Sequence, residues 1–143
     1  MSTPVLVNVV YVLTALAGLV VVLTRVRLAR ALASGAFPMG RGLLNLHTVA
    51  GVLALVIWVV FLVADEETFA GGSLVGIIAL FFWWVTALVG LMTLARWLPS
   101  RGRHAGDTAI DSSGLGPWLS LLAHLGVLVG VVVFTWAYLS SAV

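Results

Sequence analysis

The side chains most suited to chemistry in this chain are two histidines set in long apolar stretches. His47 lies in the second turn of the run 43–63, and His124 lies in the second turn of the run 117–139. Neutral imidazole is a common metal ligand, and imidazole also carries protons near neutral pH. Ionisable residues within membrane-spanning segments are rare and mark functional sites by default. The two histidines are therefore the first candidates for a site.

The composition excludes several classes of protein. The chain has 143 residues, of which 62% are hydrophobic and 8% are charged, whereas soluble domains carry roughly a quarter charged residues. Cysteine is absent, which excludes disulfides, thiolate metal sites, iron–sulfur clusters and covalent haem attachment. The seven basic residues are all arginine, and with a formal net charge of +2 they form no stripe suited to nucleic acid. The sequence predicts an integral membrane protein in contact with the lipid bilayer.

Four apolar runs predict the fold. Each run reaches the ~20 residues that a helix needs to cross a bilayer. They predict transmembrane helices over about 5–24, 43–63, 74–95 and 117–139. Because the connections are short, consecutive helices are expected to be antiparallel neighbours. We therefore expect an all-α, up-and-down four-helix bundle that forms a single domain over residues 1–143.

The distribution of charge predicts the orientation of the bundle. Every arginine lies in 25–42 or 96–116, whereas the connection between the second and third runs carries Asp65, Glu66 and Glu67. Arginine-rich loops stay in the cytoplasm, so both termini and the acidic connection are expected outside. The first run has no basic residue before it, unlike a signal peptide, and is expected to be retained. The predicted location is the plasma membrane, with several passes.

Helix register predicts that the two histidines face each other. Helices two and four both start at the cytoplasmic side, where a rise of 1.5 Å per residue places His47 ~8 Å and His124 ~10 Å from the helix starts. As diagonal partners in the bundle, the two imidazoles could coordinate one iron at the centre of a haem. Gly51 follows His47 by one turn, and Gly18 and Gly90 each fall ~9 Å from the cytoplasmic end of their helices. Three helices would thus present glycine where a flat cofactor needs room.

Polar residues near the pair suggest supporting roles. Ser120 precedes His124 by one turn and could hydrogen-bond the ring nitrogen that does not bind metal. Arg41, Arg27 or Arg103 would lie at the cytoplasmic rim, where haem propionates need a guanidinium partner. The predicted site has His47 and His124 as axial ligands, with Gly51, Gly18, Gly90, Ser120 and Arg41 around them.

This layout resembles the membrane-embedded b-type cytochromes that hold haem between two histidines in a four-helix bundle. The resemblance is carried by His47 with Gly51 and by His124 in LLAHLGVLVG. It implies a bound haem b and a role in electron transfer. Those cytochromes often hold a second haem about four turns along the same helices, but the corresponding positions here are near Phe61 and Tyr138, so no outer haem is expected. The resemblance therefore implies that electrons pass to a quinone or to another membrane subunit.

Two other functions fit the same residues. Each histidine could simply hydrogen-bond within a structural or assembly subunit of a larger complex. Gly126 and Gly130 form a small-xxx-small pair, for which we expect helix packing or contact within a homo-oligomer or with another subunit. A proton or metal transporter that uses the histidines as relay or ligands is the third hypothesis, and it would need an oligomer.

Enzymatic catalysis by the chain itself is not expected. The sequence contains no nucleophile–base constellation, phosphate-binding glycine loop or zinc-protease helix motif. His104, Asp107 and Asp111 could ligate a metal from one loop, but their loose spacing is typical of a solvated segment. Trp83 falls in the middle of a run, where core packing is the expected role and lining of a cofactor pocket is the alternative.

Overall fold

The computed structural model describes residues 3–33, 41–100 and 116–143. Within these ranges the chain forms four helices and no strand: α1 spans Thr3–Ala33, α2 Arg41–Val63, α3 Ser73–Ser100 and α4 Gly116–Leu139. Each helix contains a segment long and apolar enough to cross a membrane, namely Thr3–Val26, Asn45–Val63, Ser73–Ala95 and Leu121–Leu139. The four predicted apolar helices are confirmed, and they indicate a multi-pass membrane protein.

The first helix extends further than its apolar run predicts. α1 continues past Arg25 to Ala33 through the segment RVRLARALA. Ala, Leu and Arg are among the strongest helix formers, so propensity carries the helix beyond the segment that would lie in hydrocarbon.

A tight turn over residues 64–72 joins α2 to α3. The Thr68 hydroxyl donates to the Asp65 carbonyl at 2.7 Å and accepts from the Gly71 amide at 3.2 Å. A Cβ atom on Gly71 would overlap the Asp65 carbonyl, so the turn requires glycine there. We call this end of the bundle the turn end and the opposite end, where α2 and α4 begin, the histidine end.

The four helices form a ring in which each helix packs against two others. α1 and α3 both contact α2 and α4, and the interface between α2 and α3 is the most extensive. The helices α2 and α4 therefore lie diagonally across the bundle. The ring pairs His47–His124 and Phe61–Tyr138 join them in the same order along both helices, so α2 and α4 run parallel. This arrangement agrees with the up-and-down order expected from the short connections.

The centre of the bundle is packed with aromatic rings and fixed by hydrogen bonds between helices. Trp58 and Phe134 are fully buried, with ring centroids 4.9 Å apart. The indole N–H of Trp58 donates to the Thr14 hydroxyl at 3.1 Å, which joins α2 to α1, and Trp84 donates to Thr135 at 3.2 Å, which joins α3 to α4. Lipid is as apolar as a protein core, so helices in a bilayer are held by packing and by such polar contacts.

A second aromatic layer closes the core at the turn end. Phe61 and Tyr138 lie with ring centroids 5.9 Å apart, and the Tyr138 hydroxyl donates to the Ser73 carbonyl at 2.9 Å. A Cβ atom on Gly76 would lie 2.6 Å from Tyr138 and 3.1 Å from Phe61. The missing side chain at Gly76 is therefore what lets α3 pack against both rings.

We expect Gly76→Ala to lower the free energy of unfolding in mixed detergent micelles by about 1–3 kcal/mol, because the added methyl group overpacks the layer. Gly130→Ala is the matched control, since a Cβ atom there meets nothing within 4 Å. Equal stability of the two variants would contradict this account of the packing.

Candidate functional site

The two predicted ligands come together in the structure. The imidazole rings of His47 and His124 have centroids 5.9 Å apart and planes inclined by only 18°. One ring comes from α2 and the other from α4, the diagonal helices, so the pair spans the interior of the bundle. The geometric prediction that the two rings face each other at one depth is confirmed.

Gly90 of α3 lies against both rings. A Cβ atom on Gly90 would lie 2.9 Å from Cδ2 of His124 and 3.0 Å from Cε1 of His47. Real Cβ atoms are essentially never found so close to another heavy atom. The predicted glycine at this layer is therefore required at position 90, because any other residue would push the imidazoles away.

The distance between the rings suits two ligands of a single metal centre. An imidazole nitrogen lies about 2.0–2.1 Å from a bound metal ion, and two such bonds in line place the ring centroids roughly 6 Å apart. Nearly parallel planes are compatible with two axial ligands on opposite sides of one metal. The separation of the two rings therefore meets the distance that two imidazole ligands of one metal would need.

The histidine layer offers two candidate metal ligands, His47 and His124. Across residues 3–33, 41–100 and 116–143, no group of three or more His, Cys, Asp or Glu side chains could hold a metal ion. A structural or catalytic zinc ion takes at least three protein ligands. A haem iron needs only one or two side chains, because the porphyrin supplies the other four donors.

One nitrogen of the pair is buried without a hydrogen bond. Nδ1 of His47 is enclosed and has no hydrogen-bond partner, although the Thr86 backbone lies beside the ring. The Thr86 hydroxyl already donates to the Phe82 carbonyl at 2.8 Å. A buried polar atom without a partner costs free energy, so this nitrogen is a destabilising feature of the layer around His47.

The other predicted glycines serve helix packing. A Cβ atom on Gly51 would lie 3.4 Å from the Thr86 side chain, so Gly51 sets the close approach of α2 to α3 one turn from His47. A Cβ atom on Gly18 would lie 3.8 Å from the Leu55 side chain, which is about two turns beyond His47 on α2. Gly18 makes no contact with the imidazoles. Neither glycine touches the ring pair directly, unlike Gly90.

The polar members of the predicted site fall at the edge of the described structure. Arg41 and Ser120 belong to the first turns of α2 and α4, but their side chains lie outside the described part of the chain. The same holds for the side chain of Arg27, and the loop that carries Arg103 and His104 is also outside it.

A cleft between α1 and α4 reaches the histidine pair. It has a volume of about 700 Å³, and its walls are almost wholly apolar. His124 lies towards its histidine end, and Trp83 and Phe134 lie towards its turn end. Sequence reasoning placed Trp83 mainly in the core and secondarily beside a pocket, and the structure shows both, since this residue is 2% exposed and lines the cleft.

The packing role expected of Gly126 and Gly130 is not seen within the described chain. Both line the cleft beside His124, and a Cβ atom on either would meet nothing within 4 Å. Gly126 and Gly130 share one small-residue face of α4, because residues four apart are neighbours on a helix surface. Whether another helix packs against that face depends on the distance between α1 and α4. The sequence spacing of the glycines alone does not determine this distance.

No protein family model, curated protein or solved structure matches this chain. The ring pair is therefore interpreted from its own geometry.

We expect Gly90→Ala to destabilise the fold by about 1–3 kcal/mol, because the methyl group displaces both imidazoles. In a chain that also carries His47→Ala and His124→Ala, the same change is expected to cost less than about 0.5 kcal/mol. Unfolding in mixed micelles measures both values. Gly126→Ala is the control, because it shows how much alanine's higher helix propensity alone raises the free energy of unfolding. If Gly90→Ala lowers the free energy of unfolding by the same amount in the chain without the two imidazoles, Gly90 does not contact the pair.

Proposed function

We propose that the chain is a membrane haem protein that holds one haem b between His47 and His124 and transfers electrons. The observation that carries the proposal is the pair of nearly parallel imidazoles, 5.9 Å apart, with Gly90 against both rings. A haem bound there would supply a one-electron redox couple at its iron.

The chain's own residues would bind the cofactor and exclude water. His47 and His124 would provide the axial nitrogens, and Gly90 leaves the space beside them free of a side chain. The cleft between α1 and α4 would give His124 apolar surroundings with a volume of about 700 Å³. Apolar walls raise the cost of charge at the iron and so tune its reduction potential.

The location of the pair implies an external electron partner. By the positive-inside rule, the arginine-rich segments 25–42 and 96–116 are cytoplasmic, and the acidic turn and both termini are outside. The haem would then lie near the cytoplasmic face of the plasma membrane. The corresponding layer at the turn end holds Phe61 and Tyr138 instead of histidine, so one haem leaves the outer half without a redox centre. A quinone, another membrane subunit or a second copy of the chain would complete the path.

We expect protein expressed with an adequate haem supply to show a Soret band and a sharp α-band after reduction with dithionite. His47→Ala and His124→Ala should each abolish or strongly shift both bands, because each removes one axial nitrogen. His104→Ala is the matched control, and its spectrum should equal that of the unchanged chain.

Absence of a Soret band in folded protein would refute the haem proposal. Bands that survive both His47→Ala and His124→Ala would also refute it, because haem would then bind elsewhere.

Topology can be tested by thiol labelling, since the chain contains no native cysteine. In intact bacterial cells, a membrane-impermeant maleimide is expected to label Glu66→Cys and to leave Arg103→Cys unmodified. Arg103→Cys should become labelled once the membrane is permeabilised. The opposite pattern would place the histidine end on the outer side.

A further inference from the structure

A second cavity, which we call the turn-end pocket, lies between the start of α1, the turn 64–72 and the end of α4. Its volume is about 730 Å³, within the usual range of about 300–1,000 Å³ for small-molecule sites. The aromatic rings of Tyr11, Phe61 and Tyr138 line it. The charged side chain among the described residues that line it is that of Glu66. The turn-end pocket therefore combines aromatic surface with one negative charge.

From this combination we infer that the turn-end pocket binds a quaternary ammonium group. The three aromatic rings would supply the walls, and Glu66 would supply the opposite charge. A cation near an aromatic face is attracted by the ring quadrupole, and sites for quaternary ammonium groups use this attraction. Phe61 follows His47 by 14 residues, or roughly 21 Å along α2, so this ligand is independent of the proposed haem.

The aromatic walls are fixed in place by contacts between helices. The Tyr11 hydroxyl donates to the Leu62 carbonyl at 3.2 Å and joins α1 to α2. The Tyr138 hydroxyl donates to the Ser73 carbonyl at 2.9 Å and joins α4 to α3. The rings of Phe61 and Tyr138 lie 5.9 Å apart with planes inclined by 55°. Rings that are already ordered lose little freedom when a ligand binds, which favours binding.

The charge at the turn end favours a cation. The turn 64–72 carries Asp65, Glu66 and Glu67 and has no arginine. Every arginine of the chain lies in 25–42 or 96–116, around the helix connections at the histidine end. A cavity beside charges of one sign concentrates ligands of the opposite sign.

The start of α3 also borders the turn-end pocket, and free amides at a helix start favour anions. Here several of these amides are engaged. The Gly72 amide donates to the Phe69 carbonyl at 3.3 Å. The amides of Val75 and Gly76 donate to the Gly72 carbonyl at 3.0 and 3.4 Å. The carboxylate of Glu66 and the aromatic faces therefore decide which charge the pocket prefers.

The chemistry of the walls separates a quaternary ammonium group from other cations. Calcium takes six to eight oxygen ligands, and across residues 3–33, 41–100 and 116–143 no group of three or more His, Cys, Asp or Glu side chains could hold a metal ion. A primary ammonium group has three N–H donors to satisfy, and the carbonyls of Leu62 and Ser73 already accept from tyrosine. A quaternary ammonium group has no N–H and needs only aromatic faces and an opposite charge.

Binding of radiolabelled choline to the full chain in dodecyl maltoside micelles tests the inference, with empty micelles subtracted. We expect saturable binding. The matched competitor is 3,3-dimethylbutan-1-ol, which has the shape of choline without its charge. It should need about tenfold or more higher concentration than unlabelled choline to displace the label. Absence of saturable choline binding would overturn the inference, and so would equal potency of the two competitors.

Two pairs of variants test the position of the ligand. Glu66→Gln should weaken choline binding about three- to tenfold, whereas Glu67→Gln, which removes the same charge outside the pocket, should change it less than about twofold. Tyr11→Leu should weaken binding about three- to tenfold, and Phe69→Leu should leave it unchanged. Tyr11 and Phe69 are 47% and 78% exposed, so neither change disturbs the core. Equal affinities within either pair would contradict a ligand in the turn-end pocket.

The ammonium group could belong to a soluble molecule or to the head group of a lipid, and adding lipid to the micelles distinguishes these sources. Loss of choline binding with phosphatidylcholine, but not with phosphatidylglycerol, supports the inference with a lipid head group as the ligand. Choline binding that survives both lipids supports it with a soluble ligand. Equal loss with both lipids would overturn it, because acyl chains would then fill the pocket.

Discussion

The approach of α3 to two imidazoles at Gly90 is the contact on which the site depends. A side chain at this position would lie about 3 Å from both rings, so the pair can meet across the bundle only where α3 has none. The contact between Gly51 and Thr86 brings α2 against α3 just beyond this layer. Lipid supplies no hydrophobic force between helices, so small residues that permit close packing fix the helix positions. Packing and site geometry therefore share the same glycines.

The bundle repeats one arrangement at two depths. Phe61, Gly76 and Tyr138 each lie 14 residues, about four helical turns, from their counterparts His47, Gly90 and His124. Both pairs have ring centroids 5.9 Å apart, and both meet a glycine of α3. Four turns return a helix almost to the same face, which explains why one register serves both layers. The layers differ in chemistry, because His47 and His124 carry ring nitrogens, whereas Phe61 and Tyr138 carry a benzene ring and a phenol.

Much of the fold and of the histidine layer could be predicted from the sequence, for physical reasons. Span length and apolar composition predict four helices, and counting residues at 1.5 Å each predicts the matched depth of His47 and His124. Counting also placed Gly90 at that depth, and the structure confirms it. Gly18 was placed by the same count but faces Leu55, because depth does not determine which way a residue points. The cleft was missed for a related reason: it depends on the gap between α1 and α4, and a uniformly apolar helix such as α1 gives no pattern that shows which face is packed.

Two side-chain nitrogens in the core of the bundle are buried without a hydrogen-bond partner. Nδ1 of His47 and Nε1 of Trp83 are the buried side-chain nitrogens that lack a hydrogen bond among the described residues, and they lie about two turns apart along the same core. A structural subunit would gain stability by pairing or replacing them, since an apolar side chain of similar shape avoids the cost of an unsatisfied polar atom. Threonine hydroxyls elsewhere in the bundle do accept from indole nitrogens, at Thr14 and Thr135, so the chain has the means to satisfy such groups. The contrast marks the histidine layer and Trp83 as the places, among the described residues, where the core leaves a buried nitrogen unpaired.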